Sequence, residues 1–197
     1  DSWGDSFMDA DLQVIYKPIL WYTGVRFLQS LFRLWLRSQG FRRRRAPNSA
    51  LSLFTRLENQ NCPVMVFCHG FGIGCASYVY LIAQLLATKK VMNIVLVELP
   101  NLSYTAYQLP HPKTEDLVRT LHSELTNLGI HKFLMVSHSY GTVIHNVFKH
   151  LFPGMVSRGI FLDPVCLMVH QPKVARMRSI TLRELMQAQS SARWWQK

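Results

Sequence analysis

The five residues Ser137–Gly141, with the sequence Ser-His-Ser-Tyr-Gly, have the composition and setting of a site for nucleophilic catalysis. The apolar run 133–136 precedes them and the amphipathic stretch 142–152 follows, so we expect a strand, a sharp turn and a helix. Such a turn lifts the hydroxyl of Ser139 clear of the sheet, and the helix N-terminus offers backbone N–H groups to a developing oxyanion. The segment therefore predicts a serine nucleophile; the alternative is an ordinary helix-capping serine. The close packing of strand and helix requires small flanking residues, which are Ser137 and Gly141.

A second segment that could take part in this chemistry is His69–Gly72, which directly follows the short apolar run 64–68. A serine nucleophile needs donors for the oxyanion that its attack creates. The backbone N–H groups of Phe71 and Tyr140 are the candidates. The glycines of the segment allow its backbone to approach the serine closely: Gly70 and Gly72.

The rest of the chain alternates short apolar runs with stretches of helical periodicity. Strands are predicted at about 51–57, 64–68, 93–97, 133–136 and 159–162, and helices at 78–86, 115–128 and 142–152. This alternation predicts right-handed βαβ units and a mostly parallel, doubly wound sheet of the α/β class. The carboxyl ends of parallel strands meet at one edge, where such folds place their sites. Four candidate residues fall at strand ends: His69, Glu98, Ser139 and Asp163.

The segment from about Leu51 to Val165, about three fifths of the chain, resembles the α/β-hydrolase superfamily, of the AB-hydrolase-1 type found in lipases and esterases. His69–Gly72 resembles the oxyanion loop of that family, and Glu98–Ser103 resembles the acidic-Leu-Pro turn after its fourth strand. Ser137–Gly141 resembles its Gly-x-Ser-x-Gly elbow, with serine in the first position. The resemblance implies hydrolysis of esters, thioesters or amides through an acyl-enzyme, and it implies no cofactor.

The family order of catalytic residues is serine, then acid, then histidine. Asp163 directly follows the strand after the elbow and is the candidate acid; the alternative is a turn-forming aspartate before proline. The only later histidine, His170, is seven residues on, too near to follow two further strands. We therefore expect the chain to end before the last two strands of the family and its catalytic histidine. The base stays unassigned, and residues 166–197 are predicted to be a cap, a lid or a divergent tail.

The N-terminal region, residues 1–49, has a different character from the predicted hydrolase domain at 50–197. Residues from about 14 to 45 form a basic amphipathic pattern that ends in Arg42–Arg45, and the whole chain carries a net charge of +11. The interruption of apolar residues by charge argues against a membrane span. Two interpretations remain open: a helix lying on an anionic membrane surface, or a helix packed on the core of the domain. Nucleic acid is the less favoured partner, because no nucleic-acid-binding motif accompanies the arginines.

The four cysteines show no CxxC or metal-ligand spacing, which predicts free thiols in a reducing compartment and no metal site. No signal peptide is recognisable, so we expect an intracellular protein. Of the two interpretations of the basic helix, the one on an anionic surface implies association with a membrane. Two functions remain open. The first is a serine hydrolase for an acyl-ester or lipid substrate. The second is a non-catalytic hydrolase-like module for binding or scaffolding that lacks the catalytic histidine.

Overall fold

The computed structural model describes residues 18–47, 49, 51–59, 62–88, 93–99, 102–103 and 113–167. Apart from Leu167, these residues belong to one compact unit, Pro18–Cys166. The predicted cap or tail lies outside the described residues from position 168 onward, and so does His170.

The described strands form a single six-stranded sheet. They are β1 (Arg42–Arg45), β2 (Ser52–Arg56), β3 (Val64–Cys68), β4 (Asn93–Glu98), β5 (Phe133–His138) and β6 (Val156–Leu162). Their spatial order is β1-β2-β4-β3-β5-β6. The pairs β3–β4, β3–β5 and β5–β6 are parallel, whereas β1–β2 and β2–β4 are antiparallel. At the centre, Val66 of β3 pairs with Val95 on one side and Met135 on the other.

Helices cover both faces of the sheet. They are α1 (Ile19–Ser38), α2 (Val79–Ala87), α3 (Thr114–Asn127) and α4 (Gly141–Leu151), with short 3₁₀ turns at Gly74–Tyr78 and Val165–Leu167. Side chains of α1 and α2 pack in one buried cluster with one set of strand residues, including Phe32, Leu36, Ile82, Phe54 and Phe67. Side chains of α3 and α4 pack in a second cluster with the alternate strand residues, including Leu121, Leu125, Phe148, Leu53 and Val66. The predicted α/β class and doubly wound sheet are therefore confirmed.

The N-terminal helix is shorter than the predicted span of about 14 to 45. It ends at Ser38, and Gly40 then adopts φ +85°, a left-handed conformation that suits glycine. Arg42–Arg45, expected to continue the basic helical region, instead form β1 and pair antiparallel with β2. An edge strand needs only backbone hydrogen bonds from its neighbour, so the exposed arginine side chains do not prevent pairing. Between β1 and β2, Ala46 N donates a hydrogen bond to Leu51 O (3.0 Å).

Helix α1 packs on the domain through one face. Its buried residues are Val25, Gln29, Phe32 and Leu36. The side-chain amide of Gln29 donates to Ser103 O (2.7 Å), which ties the helix to the turn after β4. Within the described ranges, none of the helices combines the length and apolar character that crossing a membrane demands.

Candidate active site

Ser139 lies in the turn between β5 and α4, with its backbone in the left-handed region at φ +50°. Its N–H donates to Leu162 O (3.0 Å) at the end of β6, and its carbonyl oxygen accepts from the N–H (2.9 Å) and Oγ1 (2.6 Å) of Thr142. A non-glycine residue in this region costs of order 1–3 kcal/mol and persists only where the surroundings hold it. These three hydrogen bonds supply the restraint, while the side chain of Ser139 stays only half-buried.

Two glycines allow the elbow (Ser137–Gly141) to contact the glycine loop (His69–Gly72). A methyl group on Gly70 would stand 2.6 Å from Ser139 Cβ and 3.1 Å from its Oγ. A methyl group on Gly141, the first residue of α4, would stand 2.8 Å from the carbonyl oxygen of His69. Neither position can hold a side chain without displacement, because protein interiors are close-packed. The two segments can therefore approach each other this closely only because Gly70 and Gly141 have no side chains.

Tyr78 joins the glycine loop to the elbow by hydrogen bonds. Its hydroxyl oxygen accepts from Gly70 N (3.1 Å) and lies 2.8 Å from His138 Nδ1, and the rings of Tyr78 and His138 pack edge-on. Burial raises the pKa of Tyr78, so the hydroxyl keeps its proton and can donate it to the imidazole of His138. In the sequence, Tyr78 is only the first position of the helix predicted at 78–86, and no local pattern indicates this contact.

His69 is fully buried and braces the glycine loop. Its Nε2 accepts from Leu99 N (2.9 Å), so the ring proton sits on Nδ1 and is donated to Gly70 O (2.6 Å). Burial lowers the pKa of His69, against the opposing influence of nearby Glu98. Both nitrogens are therefore engaged, which makes His69 a structural residue of the loop and not a base for Ser139.

Glu98 anchors the turn after β4 from within the domain. Its two carboxylate oxygens accept from Ser103 Oγ (2.6 Å) and from Cys75 N (3.2 Å), and its residue is only 8% exposed. The ligand-type atoms of His69, Cys75 and Glu98 lie within 4.8 Å of one another, as a metal site would require. Each of them already has a hydrogen-bond partner, however, and burial with the charge of Glu98 raises the pKa of Cys75 so that its thiol keeps its proton. The arrangement is a satisfied polar network, and it would have to break to hold a cation.

The two residues expected to supply oxyanion donors lie side by side. The rings of Phe71 and Tyr140 meet edge-on with their centroids 5.7 Å apart. Gly72, next to Phe71, adopts φ +144° and donates its N–H to Leu102 O (3.1 Å), which fixes the end of the glycine loop. Tyr140 directly follows Ser139, and Phe71 directly follows Gly70, whose added methyl group would meet Ser139, so both candidate donor residues lie beside the candidate nucleophile.

Asp163, the candidate acid, lies beside the elbow. It directly follows Leu162, whose carbonyl oxygen accepts the N–H of Ser139, and its own backbone is left-handed at φ +47°. Its side chain is exposed. Ser139 and Asp163 are the only described non-glycine residues with positive φ, and they mark the same edge of the sheet.

None of the described histidines donates to or accepts from Ser139 Oγ. His69 and His138 have the partners given above, and His145 Nδ1 lies 2.8 Å from the hydroxyl of Ser137. The ring of His145 is fully buried and stacks on Phe161 with centroids 4.1 Å apart. Burial, with a smaller effect of Lys149, lowers the pKa of His145 to about 4.

No protein-family model matches the chain, and no curated protein does. Among solved structures, Cfl2 from Burkholderia cenocepacia is 22% identical with a TM-score of 0.52, over 62% of this chain and 40% of Cfl2. A membrane phospholipase A, described as a bacterial virulence factor, is 14% identical with a TM-score of 0.54, over 73% of this chain and 46% of that protein.

The chain thus spans less than half the length of either solved protein. At these identities the likeness concerns the fold alone. The chain therefore has the fold of the α/β-hydrolase superfamily, the family that its three motifs resemble.

Proposed function

We propose that this protein is a serine hydrolase that cleaves carboxylic esters, with Ser139 as its nucleophile. The observation that carries the proposal is the backbone of Ser139, held at φ +50° between a buried parallel strand and a helix. A helix-capping serine has no need of this conformation, because N-cap residues adopt extended backbone angles. A strained residue at the carboxyl edge of a parallel sheet favours a functional role.

The chemistry begins with attack of Ser139 Oγ on the ester carbonyl carbon. The carbonyl oxygen becomes an oxyanion, which the backbone N–H groups of Phe71 and Tyr140 would stabilise by hydrogen bonds. The contact of Gly70 with Ser139 keeps the glycine loop within reach of that oxygen. Collapse of the intermediate expels the alcohol and leaves an acyl group on Ser139, which water then hydrolyses.

A general base must take the proton of Ser139 during attack and deliver it to the departing alcohol. We assign no base among the described residues, since His69, His138 and His145 are committed to other partners. Asp163 is the candidate for the acid that orients such a base. Its support is its place one residue after Leu162, which is hydrogen-bonded to the backbone of Ser139.

A second candidate function is a non-catalytic module with this fold, used for binding or scaffolding. The observation in its favour is that no described histidine forms a hydrogen bond with the hydroxyl of Ser139. On this reading, the strained turn persists as an element of the fold and the half-buried serine does no chemistry.

Hydrolysis of a short chromogenic ester, p-nitrophenyl butyrate, separates the two functions when measured on the longest natural form of the protein. The serine-hydrolase proposal expects turnover that falls at least about 100-fold in Ser139→Ala, because the nucleophile is lost. The matched control is Ser38→Ala, which removes an exposed hydroxyl at the end of α1 and is expected to have no effect. Turnover that is equal in wild type and Ser139→Ala would contradict the proposal, and a folded protein with no turnover would favour the binding module.

A further inference from the structure

Helix α1 carries apolar side chains on two opposite faces, of which only one is buried against the described part of the domain. Four apolar residues of α1, spaced by seven, four and three positions, lie along one side of the helix that faces away from the domain. These side chains are between 47% and 78% exposed: Leu20, Phe27, Leu31 and Leu34. A contiguous exposed apolar face on a folded domain marks an interaction site. We call this stripe the outer face of α1.

Arginines border the outer face. Arg33 and Arg37 of α1, with Arg42 and Arg43 of β1, line a groove of about 820 Å³ between the helix and the edge strand. Apolar side chains also line this groove, among them Leu36, Phe41 and Phe54. The groove therefore combines a cationic rim with an apolar lining.

The charge of this groove is not neutralised within the described part of the domain. There, Arg33, Arg37 and Arg42 have no carboxylate within ion-pair distance. Burial, followed by the neighbouring charges of Arg33 and Arg45, lowers the pKa of Arg43 against the opposing influence of Glu98. An anionic partner would relieve this repulsion.

We propose that the outer face of α1 and the arginine groove dock this domain on a membrane surface rich in anionic phospholipids. The apolar stripe would enter the boundary between headgroups and acyl chains, while the arginines bind phosphate oxygens with their planar, multidentate donors. Docking is independent of the proposed chemistry at Ser139 and can be tested in its absence.

The alternative occupant of an apolar helix face is a second copy of the chain. Residues 19–45 contain seven arginines and no acidic residue, so a symmetric pair would bring fourteen positive charges together. Charge complementarity therefore favours an anionic partner over a second copy.

Co-sedimentation with vesicles tests the proposal. The full chain is expected to bind vesicles of phosphatidylcholine with 30% phosphatidylserine at least about tenfold more tightly than phosphatidylcholine alone, on the scale of electrostatic contributions at such surfaces. The variant Arg33→Gln/Arg37→Gln/Arg42→Gln should lose most of that preference. Its matched control, Arg119→Gln/Lys132→Gln/Arg158→Gln, removes the same charge from exposed positions elsewhere and should retain it.

A second variant, Phe27→Ser/Leu34→Ser, tests insertion separately from charge. It should also weaken vesicle binding about tenfold or more, whereas Tyr80→Ser on the exposed side of α2 should not. The proposal would be overturned in favour of a soluble polyanion by two results together. Vesicle binding would be lost in the arginine variant but kept in Phe27→Ser/Leu34→Ser, and heparin would displace the wild-type protein from the anionic vesicles. A wild-type protein that binds no vesicles but forms a dimer, and loses that dimer in Phe27→Ser/Leu34→Ser, would overturn the proposal in favour of a second copy of the chain. Circular dichroism of each variant confirms that it is folded.

Discussion

Gly70 lies so close to Ser139 that one added methyl group would stand 2.6 Å from Ser139 Cβ. The two residues are about seventy positions apart in the chain, and each belongs to one of the two segments of the candidate site, the glycine loop and the elbow. The residues that follow them, Phe71 and Tyr140, carry the proposed oxyanion donors. The contact between Gly70 and Ser139 therefore sets the distance between nucleophile and donors.

Substitution of Gly70 tests this contact. Gly70→Ala should reduce the free energy of unfolding by about 1–3 kcal/mol, the usual cost of overpacking, because either the glycine loop or the elbow must move. Any ester hydrolysis should fall at least about tenfold, since a shift of the loop displaces the Phe71 donor. Urea unfolding and p-nitrophenyl butyrate turnover measure the two effects. Gly154→Ala, where a methyl group meets nothing within 4 Å, serves as the control. If Gly70→Ala and Gly154→Ala had the same unfolding free energy and the same turnover, Gly70 would have room for a methyl group and the close contact with Ser139 would be wrong.

Removal of the Tyr78 hydroxyl tests the link between the glycine loop and the elbow. Tyr78→Phe preserves the ring contacts with Phe67 and His138 but leaves Gly70 N–H and His138 Nδ1 without their partner. We expect a loss of about 1–3 kcal/mol in unfolding free energy, the cost of unsatisfied buried groups.

Tyr80→Phe provides the comparison for that variant, because it removes a hydroxyl from a tyrosine on α2 that is 75% exposed. Urea unfolding should show no more than a few tenths of a kcal/mol for this control, as is usual for surface substitutions. If Tyr78→Phe unfolds at the same urea concentration as Tyr80→Phe, the hydroxyl of Tyr78 does not join the two segments.

Buried His145 predicts a loss of stability in acid. Its pKa is lowered to about 4 in the folded state, from 6.5 for an unperturbed histidine. Between these values the unfolded chain binds a proton that the folded protein does not, so the free energy of unfolding falls as the pH drops from 6.5 to 4. Above pH 6.5 the contribution of neutral His145 to the free energy of unfolding is fully present, and at pH 4 roughly 2–3 kcal/mol of that contribution is lost.

Urea unfolding between pH 7 and pH 4 measures this dependence. In His145→Asn the unfolding free energy should decrease less steeply with falling pH than in wild type, even if the variant is less stable at every pH. His150→Asn, an exposed position on the same helix, should keep the wild-type slope. A wild-type slope in His145→Asn would mean that the acid sensitivity arises elsewhere.

Much of the sheet and the outline of the site could be predicted from sequence. Buried parallel strands such as Val64–Cys68 are continuous apolar runs, and the turn after Phe133–His138 has small residues at fixed positions. Strand β1 could not be predicted this way. Its four arginines have no apolar pattern, and it is held by backbone pairing with β2. The end of α1 at Ser38 could not be predicted for the same reason, because a run of arginines is compatible with either a helix or a strand.

The contacts that hold the site together depend on residues distant in sequence. Tyr78 meets His138 only because the turn before α2 packs against the elbow. The burial of His145 depends on Gly159 of β6, where a methyl group would stand 2.7 Å from His145 Nε2, and on the ring of Phe161. No local pattern around either residue carries this information.

Covalent labelling shows whether Ser139 is a nucleophile. A fluorophosphonate probe forms a bond to the activated serine of a serine hydrolase, and mass spectrometry of the digested protein identifies the peptide that carries it. Ser139→Ala is a clean comparison, because it keeps the Cβ that contacts Gly70 and removes only the hydroxyl. We predict a single adduct on Ser139 that is absent in Ser139→Ala and unchanged in Ser38→Ala. Labelling that persists undiminished in Ser139→Ala would contradict the assignment.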